Sequence, residues 1–392
     1  MLEGKSVRLR PVEPEDAAAL HRWGQDWEVQ RLGSGGPDVV PARPMAYYRE
    51  WIKALAGKKD AHAFMIVERD GGRAVGFIQL RNVDQRDRCC ELSIEIGEKD
   101  CWGKGYGREA VRLALGLAFE ELGLNRVGAA CHEFNPRAIR CFEAAGFRRE
   151  GVYRAALFRD GRFWADVQLS ILAGEYFSQK ATRGRDSGQT PQEAPPAGGE
   201  CLQVLEGELV RLRPLKAEDA ATFYRWGQDW EVQRLSTGGA RLAVGDSQAA
   251  CLEWIEGLKD RRDLYAFMVL EKATGRPLGT AQLASVDLRN RRCDLGIEIG
   301  EKDFWGRGYG RDAVRVLLRL AFEEVGLNRV AAGCYSLNPR AIRCFEALGF
   351  KREAVHRAAL FRDGRFWTDV RFSITAEEYF ALRRSGTADA SA

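Results

Sequence analysis

The chain lacks most of the features that would set it apart from an ordinary water-borne fold. No apolar run approaches the roughly 18 residues that span a bilayer. The start, Met-Leu-Glu-Gly-Lys, has no hydrophobic signal core. Neither a membrane span nor an export signal is therefore expected. A formal charge of only +4 over 392 residues gives no case for a nucleic-acid partner. The ten cysteines include no C-x-x-C pair, and the four histidines no H-E-x-x-H. We therefore expect no metal, and read the cysteines as buried thiols of a reducing cytoplasm. No G-x-x-x-x-G-K-[ST] occurs, which argues against a Walker-type kinase or ATPase.

What is present is a repeat. At 392 residues, with 45% hydrophobic and 30% charged residues, the chain has material for two cores. An offset of 203 residues, as between Trp102 and Trp305, runs from end to end without a gap. Trp23 to Leu32 recurs unchanged from Trp226 to Leu235, and Asn135 to Ala144 recurs unchanged from Asn338 to Ala347. The expected organisation is a first domain over 1–180, a Pro/Gly-rich linker over 181–201, a second domain over 202–382 and a loose tail over 383–392.

Each half centres on three alternate glycines: Asp100-Cys-Trp-Gly-Lys-Gly-Tyr-Gly-Arg-Glu-Ala110 and Asp303-Phe-Trp-Gly-Arg-Gly-Tyr-Gly-Arg-Asp-Ala313. The residues that follow, Val111, Leu115, Ala118 and Leu122, have the spacing of one buried helix face. Glycines ahead of a helix bare several N–H groups toward one spot, where the helix dipole favours negative charge. The pattern therefore suits a phosphate cradle, though a plain tight turn uses the same residues. A dinucleotide fold would need G-x-G-x-x-G and an acid about 20 residues on. Here the glycines run G-x-G-x-G, and a charged helix end follows.

In the first half, Ser6 to Val12 alternates as a strand, and a helix starts at Pro14. Another helix covers Tyr47 to Leu55. A hairpin joins Ala63–Arg69 to Ala74–Val83 across Asp70-Gly71. Over Cys90 to Gly97, Leu92, Ile94 and Ile96 share one face, and Glu91, Ser93 and Glu95 the other. The cradle helix, a strand over Val127–His132, a helix capped by Asn135 and a hairpin at Asp160-Gly161 complete the half. The order describes an α/β sandwich on a mixed sheet.

That order resembles the GCN5-related N-acetyltransferases (GNAT), above all the ribosomal-protein alanine and polyamine acetyltransferase groups. The residues that carry it are Arg8-Leu-Arg-Pro11, Glu91 to Gly97, Trp102 to Gly107, Asn135 with Gly146-Phe147, and Phe158 to Phe163. The resemblance covers nearly all of each half. It implies two tandem GNAT-like domains, each a mixed, mostly antiparallel sheet flanked by helices, with acetyl-CoA as acyl donor and an amine as acceptor. The cofactor residues it implies are Ile94, Ile96, Trp102, Gly103, Lys104, Gly105, Tyr106, Gly107, Arg108 and Asn135. Their counterparts are Ile297, Ile299, Trp305, Gly306, Arg307, Gly308, Tyr309, Gly310, Arg311 and Asn338. Asn135 and Asn338 also read simply as helix caps.

Amine acylation needs an unprotonated nitrogen, while a lysine-like amine has a pKa of about 10.4. Glu95 and Glu298, beside the cradle, are the expected proton acceptors. Glu91 and Asp294 are alternatives farther from the loop. Phe142 and Phe345 stand where many family members carry a tyrosine that protonates the departing thiolate. Tyr106, Tyr309, Cys141 and Cys344 are available near that place. Each histidine faces a tyrosine in the other half, so none is essential if both halves run one reaction. For the acceptor we expect Trp23, Asp26 and Trp27, with Trp226, Asp229 and Trp230. The dissimilar segments 37–45 and 240–248 are expected to give the halves different acceptor entrances.

The expectation is a cytoplasmic tandem N-acetyltransferase acting on a protein N-terminus, a polyamine or a small-molecule amine, its halves paired as an intramolecular pseudo-dimer. The alternatives are one catalytic half with a CoA-binding structural or regulatory partner, or a non-catalytic CoA-binding sensor.

Overall fold

A computed structural model of the protein describes residues 2–33, 43–58, 60–182, 205–235, 247–258, 261 and 263–385. Nearly all of the expected linker and tail, and most of the two dissimilar segments, lie outside them.

The first half runs β1 (Leu2–Glu3), β2 (Val7–Pro11), α1 (Ala17–Gln25), α2 (Trp27–Leu32), α3 (Met45–Ala56), β3 (His62–Glu68), β4 (Ala74–Asp84) and β5 (Cys89–Ile96). It continues with α4 (Tyr106–Gly116), β6 (Arg126–His132), α5 (Pro136–Glu143), β7 (Arg148–Arg159), β8 (Arg162–Leu172) and α6 (Ala173–Thr182). The second half repeats this: β9 (Leu205–Glu206), β10 (Val210–Pro214), α7 (Ala220–Gln228), α8 (Trp230–Leu235), α9 (Gln248–Gly257), β11 (Tyr265–Glu271), β12 (Pro277–Asp287) and β13 (Arg292–Ile299). Then come α10 (Tyr309–Arg319), β14 (Arg329–Tyr335), α11 (Pro339–Ala347), β15 (Lys351–Arg362), β16 (Arg365–Thr375) and α12 (Ala376–Arg384). The strand and helix order is the expected one. The short strands β1 and β9 and the C-terminal helices α6 and α12 are additional.

The chain forms two compact units that do not follow the halves of the sequence. The first comprises Met1–Val152, Ala165–Gln192 and His356–Phe366; the second Tyr153–Trp164, Glu193–Val355 and Trp367–Ala392. Each unit thus contains the hairpin tip encoded by the other half. In the first unit Arg357 bonds the buried Glu150 (2.8 Å) and Glu175 (2.6 Å), and Arg126 also bonds Glu150 (2.6 Å). In the second, Arg154 bonds Glu353 and Glu378 (both 2.7 Å), and Arg329 bonds Glu353 (2.6 Å). Removing one partner from such a buried cluster strands a charge, which costs roughly 3 kcal/mol.

In the first unit the strands lie in the order β1-β2-β3-β4-β5-β6-β8, with β5 and β6 parallel and the other neighbours antiparallel. Alternation divides the faces. Val7, Leu9, Ile66, Ile78, Leu92 and Val127 pack against α4, whose Val111 and Leu115 are fully buried. Met65 and Val67 face the other way and pack with Trp23 of α1 and Ile52 of α3. The second unit repeats the arrangement around α10. One glycine is needed at this packing: a Cβ on Gly97 would fall 2.1 Å from the Trp23 ring.

Candidate functional site

The site begins where two parallel strands part. β5 pairs with β6 only over Cys89–Glu91 against Arg126–Gly128, and β13 with β14 only over Arg292–Leu295 against Arg329–Ala332. Beyond that, β5 stays with β4 and β6 with β8, so a split opens between them. Ile94 and Ile96 border it and are only half-buried, as are Ile297 and Ile299. Beyond the paired stretch this edge has no strand neighbour among the described residues, so its backbone can pair with an extended ligand as a strand would.

The cradle stands at the end of that split. Gly103 and Gly105 have φ of 79° and 88°, and Gly306 and Gly308 have 73° and 91°, the left-handed region that favours glycine. Gly105 and Gly308 are the N-caps of α4 and α10 and offer no capping side chain, so the first-turn amides are left for another acceptor. A Cβ on Gly103 or Gly306 would meet nothing within 4 Å, so a side chain there would fill the open cradle. Trp102 locks loop to strand: its indole N–H donates to the Ile96 carbonyl (2.7 Å), and Trp305 does the same to Ile299 (2.6 Å).

In the second unit this forms a cavity of about 370 Å³. It is lined by Gly296 to Ile299, by Trp305, Gly306, Gly308 and Gly310, by Asn338 and by Arg311, Arg340 and Arg343. Open glycines, unclaimed amides and three guanidiniums fit a diphosphate, the group acetyl-CoA presents. The expected basic neighbours are placed differently. Arg307 bonds the Asp303 carbonyl and lies over Phe304, and Lys104 lies 6.0 Å from the Tyr106 ring. Arg137 and Arg340, stacked on Trp102 and Trp305 at 4.3 and 4.2 Å, were not foreseen. The repeated Asn-Pro-Arg was their signal.

Asn135 caps α5 by accepting from the Ala138 amide (3.2 Å), and its side-chain N–H donates to the Leu32 carbonyl (3.0 Å). Asn338 repeats both bonds, to Ala341 and Leu235. The asparagine thus pins the end of α2 or α8 beside the split. Leu235 and Val232 line the second cavity as a result.

Glu95 sits under that helix end; a Cβ on Gly33 would lie 3.0 Å from its Oε2. With no cation beside it among the described residues, loss of hydration pushes its pKa up to about 7. Glu298 lines the cavity of the second unit directly. Near Glu95 the units differ. The first has Tyr48, whose hydroxyl is pushed up by burial and then by the Glu95 charge. The second has Cys251 at that position.

The groups near the missing tyrosine are poor acids. Phe142 is buried edge-on against Phe147, and Phe345 is buried at a tilt against Phe350. Burial pushes the Cys141 and Cys344 thiols up to about 11. The Tyr309 hydroxyl donates to Glu271 (3.0 Å), which with burial raises its pKa; burial and then Glu68 do the same to Tyr106. Both tyrosines tie the cradle to the sheet.

The acceptor candidates separate. Trp23 and Trp226 are core residues, 2% exposed, whose indoles donate to Glu98 (2.9 Å) and Glu301 (2.8 Å). Asp26 and Asp229 cap α2 and α8 and bind Lys99 and Lys302 (both 2.8 Å), bonds that hold their pKa values down. Trp27 and Trp230 are exposed beside Arg31 and Arg234. On the sheet face that carries Glu95, His132 bonds Asp166 (2.6 Å) and stacks on Phe134, a pair the strand register creates.

Comparison with known proteins agrees with this geometry. A family model described as an acetyltransferase (GNAT) domain matches residues 6–148 and again 210–351. An uncharacterized N-acetyltransferase of Bacillus licheniformis is 30% identical over 172 residues, 43% of this chain and 94% of that protein. The spermidine N(1)-acetyltransferase of Escherichia coli K12 is 26% identical over 185 residues, 47% of this chain and 96% of that protein. Among solved structures, a spermidine N-acetyltransferase of Vibrio cholerae in complex with CoA and spermine matches with a TM-score of 0.41 and 21% identity, over 44% of this chain and 99% of that one. Because the family model recurs across most of both halves, the chain belongs to the GNAT acetyltransferases and is an acetyl-CoA-dependent acyltransferase carrying the domain twice.

Proposed function

We propose that each unit acetylates a primary amine, with Glu95 and Glu298 as the proton acceptors. The single observation that carries this is Glu95 itself: a carboxylate at the split, with no cation beside it among the described residues and a pKa pushed up by burial to about 7. Acetyl-CoA supplies an acyl group activated as a thioester. First-turn amides of α4 and α10, with Arg311 and Arg340 in the second unit, would hold its diphosphate, while the edges at Ile94, Ile96, Ile297 and Ile299 would guide its arm. Glu95 or Glu298 would take the ammonium proton, directly or through water, and so free the nitrogen lone pair. With the thiols and cradle tyrosines raised, water is the proton source for the departing thiolate.

Relatives named for spermidine support a polyamine among the acceptors, beside a protein N-terminus or another small amine. Nine free thiols among the described residues suit a reducing cytoplasm. No described helix is long and apolar enough to cross a membrane. The copies at 1–180 and 202–382 are the inherited domains on this reading. The Tyr48/Cys251 difference beside the base favours a second version, with one half catalytic and the other a CoA-binding module. Turnover with an amine panel by the wild type, Glu95→Gln and Glu298→Gln tests both. Loss in each single variant supports two active units, loss in only one supports the divided version, and loss in neither rejects the base assignment.

A further inference from the structure

We propose that the second unit selects acceptors bearing a second positive charge, held at Asp294, and that the first unit does not. This rests on the amine-acetylation reading above and assigns an acceptor class to one of its two sites.

The argument starts from two opposed positions. In the first unit Arg81 on β4 lies opposite Glu91 on β5 and bonds it at 2.9 Å. In the second unit the same cross-strand pair is Ala284 and Asp294. Cross-strand neighbours are the natural partners of a strand-face charge. Alanine removes that partner, and Asp294 makes no ion pair or hydrogen bond among the described residues.

Asp294 instead lines a second cavity of about 370 Å³, within the second unit, together with Ser285, Asp287 and Tyr153. Three guanidiniums also border it, but each has its own carboxylate. Arg329 bonds Glu353 (2.6 Å), Arg371 bonds Asp369 (2.7 Å), and Arg292 lies 3.8 Å from Asp287. Arg371 sits over Gly333, where a Cβ would come within 3.1 Å of it. Arg371 also feels the Asp294 charge, but its bond is to Asp369, so Asp294 is the lining carboxylate with no cation bonded to it among the described residues. That favours a cation over an anion.

The position of this cavity relates it to the reacting end. Asp294, Gly296 and Glu298 are alternate residues of β13, so they share the face turned away from α10. Four residues at roughly 3.3 Å each put Asp294 about 13 Å from Glu298. The linings of the two cavities adjoin, at Asp294 and Leu295 on one strand and at Ala332 and Gly333 on the other. Between them the Gln282 side chain leans over Gly296, within 3.1 Å of where a Cβ would stand. The row therefore reads carboxylate, amide, carboxylate, all able to accept from N–H. A flexible linear polyamine fits it, with one nitrogen at Glu298 and a distal ammonium at Asp294. In the first unit the same row ends on a carboxylate that Arg81 neutralises.

The test uses the full chain and the ratio of kcat/KM for spermidine to that for butylamine, in wild type, Asp294→Asn, Ala284→Arg and Arg81→Ala. We expect the ratio to fall about tenfold in the first two variants and to rise in Arg81→Ala, which frees Glu91 as Asp294 is free. A ratio unchanged by Asp294→Asn and Ala284→Arg overturns the proposal. If neither amine is turned over, the acetylation reading fails by itself, and calorimetric titration with spermidine decides this one. Binding about tenfold weaker in Asp294→Asn sustains the distal site, and equal binding overturns it.

Discussion

The two units repeat the glycine cradle closely and differ on and around the sheet face that carries Glu95 and Glu298. The cradle glycines, the Trp102 and Trp305 latches, the stacked Arg137 and Arg340 and the double role of Asn135 and Asn338 recur with bond lengths within a few tenths of an ångström. Across the sheet, Tyr48 stands against Cys251, the His132–Asp166 pair against Tyr335 with Asp369–Arg371, and Arg81–Glu91 against Ala284 and Asp294. A diphosphate is one shape, and the geometry that grips it tolerates little change. On the acetylation proposed above, an amine would be recognised by the sheet face around each base, and that face has diverged.

The comparison can be broken in several ways. The largest effect is expected at the bases: Glu95→Gln or Glu298→Gln should each lower one unit's turnover about 10²-fold, and the double change should lower the whole chain's turnover about 10²-fold. With the second unit silenced by Glu298→Gln, the pH profile reports Glu95. The ionised form is the base, so the rate should climb about tenfold per unit below pH 7 and level off above it. A profile flat from pH 5.5 to 8 would remove Glu95 from that role. Gly308→Val forces a β-branched residue to a φ of 91° and should weaken acetyl-CoA binding in the second unit about tenfold, leaving the first unit's site intact. Trp102→Phe loses one hydrogen bond, about 1 kcal/mol, and should raise the first unit's KM for acetyl-CoA about fivefold. Tyr309→Phe and Cys344→Ala should change turnover by less than about threefold. A larger loss in either would identify the thiolate's proton donor.

Much of this was legible because it is written locally. Glycines before a helix, period-two strands and Asn-Pro at a helix start declare themselves within a few residues, and the 203-residue offset declared each of them twice. What the sequence hid was set by distant partners. Trp23 looked available as a pocket wall, yet the bare backbone of Gly97 receives it in the core. Asp26, just before Trp27-Glu28-Val29, had the signature of a helix cap and was read as an acceptor group. The His132–Asp166 pair follows from the β6–β8 register, which no local pattern encodes. Nor could the hairpin each unit takes from the other half be read from two copies that look self-sufficient. The short, weakly apolar stretches of α6 and α12 gave too little periodicity to be seen.

The central claim is that each unit holds its own acetyl-CoA, gripped by backbone amides at the start of α4 and of α10. Calorimetric titration of the full chain with acetyl-CoA tests it most directly. The account predicts two sites per chain, one of them about tenfold weaker in Gly308→Val; a single site in the wild type, or none, would contradict it.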